Sequence, residues 1–177
     1  MEPRIIAIVG KSNSGKTTLV EKLVAGLTQN GHRIGTVKHT HCGFELDREG
    51  KDSWRHKNAG AAATLLLKDG QAALIRDDHR APVEKMIHYL SGMDLILVEG
   101  FKSQDLPKIE IFRKEAMHKV PLYLDQNFNV SATLIAFVTD SAFEPDVPVF
   151  GLNDISGMID FIQARFLGKS IRGGNHG

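Results

Sequence analysis

The sequence predicts an α/β protein, a three-layer sandwich of helices around a mostly parallel sheet with some antiparallel strands. Three observations lead there. Short, continuous apolar runs end in glycine-containing or polar loops, as strands buried on both faces do. Amphipathic helical patterns alternate with those runs. Asp69-Gly70 between two apolar runs marks one antiparallel hairpin.

The elements follow in order. Residues 5–9 are apolar and β-branched and run into a glycine-containing loop. Leu19, Leu23 and Leu27 recur every four residues, Val20 and Val24 widen the stripe, and Asn30-Gly31 ends the helix. Residues 33–38 form a second strand. Residues 39–60 are polar and rich in histidine and charge, and residues 52–63 suit a helix starting near Asp52 or Ser53. Residues 64–67 and 72–76 are the two arms of the hairpin. Residues 82–90 form a helix, with Pro82 tolerated at its start. Residues 95–98 are a buried strand closed by Glu99-Gly100, and residues 108–112 a further strand. Residues 134–138 are another apolar run, ending in Thr139-Asp140, and residues 148–150 a short one. Ile155, Met158, Ile159, Ile162 and Phe166 place a helix over residues 155–166. No internal repeat or linker divides the chain. Residues 1–167 are therefore expected to be a single domain, followed by a flexible polar tail over residues 168–177.

The 177 residues are 42% hydrophobic, an ordinary globular share. The net charge is +1, from 22 Lys+Arg against 21 Asp+Glu, so bulk charge calls for neither nucleic acid nor a membrane surface. Cys42 is the one cysteine, which excludes an intrachain disulfide and suits a reducing compartment. No basic leader precedes an apolar stretch, and no apolar run approaches the ~20 residues of a membrane helix. The cytoplasm is the expected location.

The strongest signal is Gly10-Lys11-Ser12-Asn13-Ser14-Gly15-Lys16-Thr17, which matches G-x-x-x-x-G-K-[ST] between a buried strand and a helix. The glycines let the backbone curl so that successive N–H groups face phosphate oxygens. The helix adds its positive N-terminal end. Lys16 is a point charge for the β- and γ-phosphates, and the Thr17 hydroxyl is placed for Mg²⁺. The expected fold is thus that of a P-loop NTPase, and the expected ligand a purine nucleoside triphosphate, GTP with Mg²⁺.

Such a site needs an acid opposite Thr17 at the end of a buried strand. Glu99 stands there, where Asp is usual. It reaches Mg²⁺ through water or orients the attacking water, or else it merely caps a helix or pairs with Lys102. Lys11 follows the first glycine, a place from which a group of dimeric P-loop ATPases reaches the partner's nucleotide. The Gly-Gly usual after that lysine is Ser12-Asn13 here, so a solvated lysine is the plainer account. His39, His41, Cys42 and His56 invite a metal reading, but their spacing is not a standard zinc pattern. Alternatively this segment is a polar flap whose Asp47, Lys51, Asp52 and Arg55 contact Mg²⁺ or a second anionic ligand. Asp140, after a late strand, suits a carboxylate accepting from guanine N1–H and N2–H₂, or is a turn residue.

Further motifs are Val37-Lys38-His39, Phe44, Asp47, Gly50-Lys51-Asp52-Ser53-Trp54-Arg55-His56, Ala59-Gly60-Ala61, Val98-Glu99-Gly100-Phe101-Lys102 and Pro107-Lys108-Ile109-Glu110. With the phosphate loop they resemble the molybdopterin-guanine dinucleotide biosynthesis protein B (MobB) family, over most of residues 4–150. The resemblance implies a GTP-binding homodimer with weak GTPase activity. It also implies an accessory role to the molybdenum cofactor guanylyltransferase, which joins GMP to molybdopterin, and to other cofactor-assembly proteins. By the same resemblance Gly10, Lys11, Ser12, Asn13, Ser14, Gly15, Lys16, Thr17 and Thr18 hold phosphates. His39, Asp47, Asp52, Arg55 and Glu99 lie around the site, and molybdopterin is a second ligand in a groove that Lys11 or Arg55 of a second chain helps to form.

Two other functions fit the loop. A small-molecule kinase needs an arginine-rich lid, for which Arg76 and Arg80 are poor candidates. A nickel or cobalt metallochaperone GTPase needs a Cys/His cluster, for which only the group from His39 to Cys42 speaks.

Overall fold

The computed structural model describes residues 4–39, 49–115 and 119–168. They divide into two compact units, one holding the described residues up to His39 and from Met86 onward, the other those between.

The larger unit is built on six parallel strands. These are β1 (Arg4–Val9), β2 (Ile34–Lys38), β5 (Leu95–Glu99), β6 (Lys108–Phe112), β7 (Leu134–Thr139) and β8 (Val149–Phe150), in the order β2-β5-β1-β6-β7-β8. The phosphate-loop strand β1 is thus central, and all these strands end on one edge. Side chains alternate across the sheet. Ile6, Ile8, Leu95, Leu97, Ile109 and Ile111 pack under Leu19, Leu23 and Leu27 of helix α1 (Lys16–Gln29) and Met158 and Ile162 of α4 (Ile155–Ile162). Ile96 and Val98 face the other way, onto Met86 of α3 (Pro82–Tyr89) and onto Phe101. Burying each such side chain contributes about 1.5–3 kcal/mol. The two helices on the first face approach closely because position 26 is glycine: a Cβ there would sit 2.1 Å from Ile159 Cδ1.

Helix α1 stops as expected at Asn30-Gly31. Gly31 takes φ +83, its N–H donates to Thr28 O, and the N–H of His32 donates to Leu27 O, the paired bonds of a left-handed C-terminal cap. Helix α4 opens on Asp154, whose carboxylate accepts from Gly157 N. It is shorter than the expected 155–166. The chain widens into a π-helical turn over Gln163–Leu167, where Gln163 bonds both Asn30 and His32.

The smaller unit holds α2 (Asp52–Asn58) and a two-stranded antiparallel sheet, β3 (Ala63–Lys68) with β4 (Gln71–Arg76). The hairpin turns through Asp69-Gly70 with Gly70 at φ +74. Helix α2 ends five residues before the expected Ala63. Gly60 at φ +103 closes it: Gly60 N donates to Lys57 O and Ala61 N to His56 O, another left-handed cap. The parallel sheet flanked by helices, with a small antiparallel sheet, is the α/β class that the sequence predicts.

Candidate functional site

The loop between β1 and α1 has the backbone that its glycines permit. Gly10 takes φ +156, Asn13 φ +61 and Gly15 φ +95. A Cβ on Gly10 would lie 2.5 Å from both Ile111 O and Ser14 Oγ, so only glycine fits against β6. Lys16 Nζ folds back over the loop and donates to Gly10 O (3.1 Å) and Lys11 O (2.8 Å). Burial holds the Lys16 ammonium below the usual lysine range. Glu99 opposes that effect, and the nearby charges of Lys102 and Lys38 add to it. A partly desolvated cation with two more cations around it is stabilised by an anion in the loop. Ser14 Oγ, in a residue only 2% exposed, has no hydrogen-bond partner. A buried hydroxyl left unpaired inside a ring of backbone amides fits a phosphate oxygen.

Thr17 Oγ1 donates to Glu99 Oε2 at 3.0 Å. The β1–β5 pairing sets Ile8 opposite Glu99 and so brings the end of β5 beside the loop. Neighbouring ligands of an octahedral Mg²⁺ bound at about 2.05 Å stand about 2.9 Å apart. The two oxygens already have that spacing, so the pair fits the metal, with the hydroxyl turning its lone pair instead of its proton toward the centre.

The chain after Glu99 turns sharply. Gly100 has φ +108 and Phe101 φ +57, and Gly100 N donates to Ile8 O. His39 follows β2 on the same edge, with its N–H on Glu99 O (3.1 Å) and its ring 4.1 Å from that of Phe101. Lys11 is not simply solvated: its ammonium lies 3.5 Å from the Asp125 carboxylate. Thr18 lines a cleft beside the loop with Lys22, Arg113, Leu152 and Asn153. Asp140 follows β7, and its Oδ1 accepts from Lys114 N at 2.7 Å. Asp52 and Arg55 are exposed on α2, in the other unit. Asp47, His41 and Cys42 lie outside the described residues. Among the described residues, no three His, Cys, Asp or Glu side chains group as a metal site, and no helix is long and apolar enough to cross a membrane.

The structure thus brings Gly10, Lys11, Ser12, Asn13, Ser14, Gly15, Lys16, Thr17, Thr18, Glu99 and His39 to one edge of the larger unit. It adds residues not singled out for the site. Arg113 reaches Gly15 from the end of β6: its Nε lies 3.8 Å from where a Gly15 Cβ would stand. Its place just past a strand on the loop's edge was the available signal. Glu110, fully buried on β6 opposite Val9, accepts from the N–H groups of Leu122 and Tyr123.

Known proteins resemble this chain over most of its length. Residues 5–140 match the family described as molybdopterin guanine dinucleotide synthesis protein B. A molybdopterin-guanine dinucleotide biosynthesis adapter protein of Haemophilus influenzae is 34% identical over 165 residues, covering 90% of this chain and 87% of the relative. One of the same description from Escherichia coli is 34% identical over 163 residues, covering 89% and 90%. The crystal structure of Bacillus subtilis MobB superposes with a TM-score of 0.67 at 25% identity, covering 93% of this chain and 99% of that one.

Proposed function

Because the chain belongs to the molybdopterin guanine dinucleotide synthesis protein B family, we propose that it is a GTP-binding adapter in the assembly of the guanine dinucleotide form of the molybdenum cofactor. The observation that carries the nucleotide half of this reading is the loop itself: Lys16 seated over a left-handed backbone, with Thr17 and Glu99 paired 3.0 Å apart at its mouth.

In this reading the backbone from Gly10 to Thr18 encloses the phosphates, and Ser14 Oγ gains the partner it lacks. Lys16 neutralises charge at the β- and γ-phosphate oxygens. Thr17 and Glu99 would hold Mg²⁺, which would supply charge neutralisation at the phosphates. Glu99 also orients water for a slow hydrolysis. Asp140 keeps one carboxylate oxygen on Lys114 and offers the other to guanine. Molybdopterin is a second, anionic ligand, for which Arg55 of α2 supplies a cation. The partners are the cofactor guanylyltransferase and a second copy of this chain, in the cytoplasm. In favour of the second copy is the hairpin, whose Leu65, Leu66, Leu67 and Leu74 are 44–74% exposed. A two-stranded sheet with such faces gains stability from a partner.

Reconstitution tests the proposal. Purified guanylyltransferase, molybdopterin and Mg²⁺–GTP are combined with and without this protein, and dinucleotide formation is followed. Faster formation with the wild type but not with Lys16→Ala supports the adapter role. An unchanged rate, or transfer of the γ-phosphate to a metabolite, refutes it.

A further inference from the structure

One segment touches both sides of the phosphate site. After β6 the chain makes a 3₁₀ turn at Leu122–Leu124 and continues through Asp125 to Phe128. Its start is fixed: the buried Glu110 carboxylate accepts from the N–H groups of Leu122 and Tyr123, the latter at 2.9 Å. Its far end holds two lysines from two different loops. Lys11, from the phosphate loop, lies 3.5 Å from Asp125 Oδ2. Lys102, from the turn after Glu99, sits 3.8 Å above the Phe128 ring centroid. Asp125 also orders this end directly, since its Oδ1 accepts from Asn127 N and Nδ2 and its carbonyl accepts from Phe128 N.

Beside Lys16, which spans the loop with two carbonyl bonds, Lys11 and Lys102 are two further cations, each held by a side chain of this segment. Both have flexible four-carbon stems. Their present partners are weak ones. The ion pair is about a fifth exposed on each side, where such pairs contribute little, and a partly exposed cation–π contact is similarly modest. A bond from an ammonium to a phosphate oxygen is charge-assisted and stronger.

We propose that Asp125 and Phe128 hold Lys11 and Lys102 in reserve for the phosphates of a nucleoside triphosphate, so that filling the loop releases residues 125–128. Asp125 is thus a positioning residue that acts on nucleotide affinity through Lys11. The inference rests on the phosphate-binding reading given above. It gives a partner protein a surface segment that differs between empty and loaded chains.

The test combines hydrogen exchange with calorimetry on the same full-length samples, using Mg²⁺–GTP. In the wild type with nucleotide bound, the amides of Asn127 and Phe128 exchange several-fold faster, while those of Leu122 and Tyr123, anchored by Glu110, do not change. Asp125→Asn shows the fast exchange without ligand and binds GTP about two- to fivefold tighter, the strength of one partly exposed ion pair. Asp125→Glu returns both readouts toward wild type, which a merely structural role would not do. Phe128→Leu, which frees Lys102 alone, shifts affinity in the same direction and keeps the inference testable if Asp125→Asn fails to fold. Bound nucleotide with unchanged exchange at residues 125–128, or variants that bind GTP equally or more weakly, overturns the coupling. A wild type that binds no GTP overturns the phosphate reading and the coupling together.

Discussion

Replacing Glu110 by Gln tests how the base of the site is held. Burial pushes the Glu110 carboxyl up to about 7, against the N–H groups of Leu122 and Tyr123 and the charge of Lys11, which pull the other way. The unfolded chain loses this proton near the ordinary glutamate value of 4.5. Between those two values the folded chain therefore binds the extra proton, and stability falls as pH rises. The contribution is fully present below about pH 4.5 and is lost as pH passes about 7. The interval corresponds to about 3 kcal/mol. Glutamine cannot ionise, so Glu110→Gln removes this dependence while keeping one acceptor for the two N–H groups. Urea denaturation of both proteins at intervals from about pH 5 to 8 gives the comparison. The stability of the wild type relative to the variant is expected to decline by on the order of 3 kcal/mol across that range. Parallel pH profiles would show that the carboxyl ionises freely at its site, and would refute the argument.

Three further perturbations act on the loop and the assembly. Lys16→Ala removes a charge-assisted contact of ~1.5–3 kcal/mol, and triphosphate affinity measured by calorimetry is expected to fall about tenfold to a hundredfold. Gly10→Ala puts a methyl group 2.5 Å from Ile111 O at φ +156; a thermal melt is expected to show a loss on the order of 1–3 kcal/mol, together with weakened nucleotide binding. Light scattering at micromolar concentration is expected to give a dimer mass, and Leu65→Asp with Leu67→Asp to give a monomer that remains folded; a monomeric wild type would reject the dimer.

The parts of the site visible in sequence are those built from local backbone. The phosphate loop uses eight consecutive residues whose glycines and lysine have separate steric and electrostatic tasks, so its pattern survives without tertiary context. Glu99 was readable because a buried strand must end where its edge meets the loop. The hairpin was readable from Asp69-Gly70, and the end of α1 from Asn30-Gly31. The same cap logic applied to Gly60 would have ended α2 at Asn58; the run of alanines after it masked the signal. Contacts between distant segments left no local trace. Nothing in the spacing pairs Lys11 with Asp125, or Lys102 with Phe128, and the irregular stretch that bears Asp125 has neither helical nor strand period. Glu110 read as one polar residue in an alternating strand, although its carboxylate is buried and organises the next turn. The leucines of β3 show a different limit: an apolar run records that a strand seeks burial, but not whether its own chain or another supplies the cover.

Calorimetric titration of the purified protein with GTP and, separately, ATP shows whether this loop holds Mg²⁺–GTP. With Mg²⁺ present, GTP is expected to bind at one site per chain and more tightly than ATP, and chelating the metal is expected to weaken that binding. No heat of binding with GTP at about 1 mM, an affinity limit of about −4 kcal/mol, in a sample whose fold is intact would rule out a GTP site in this loop.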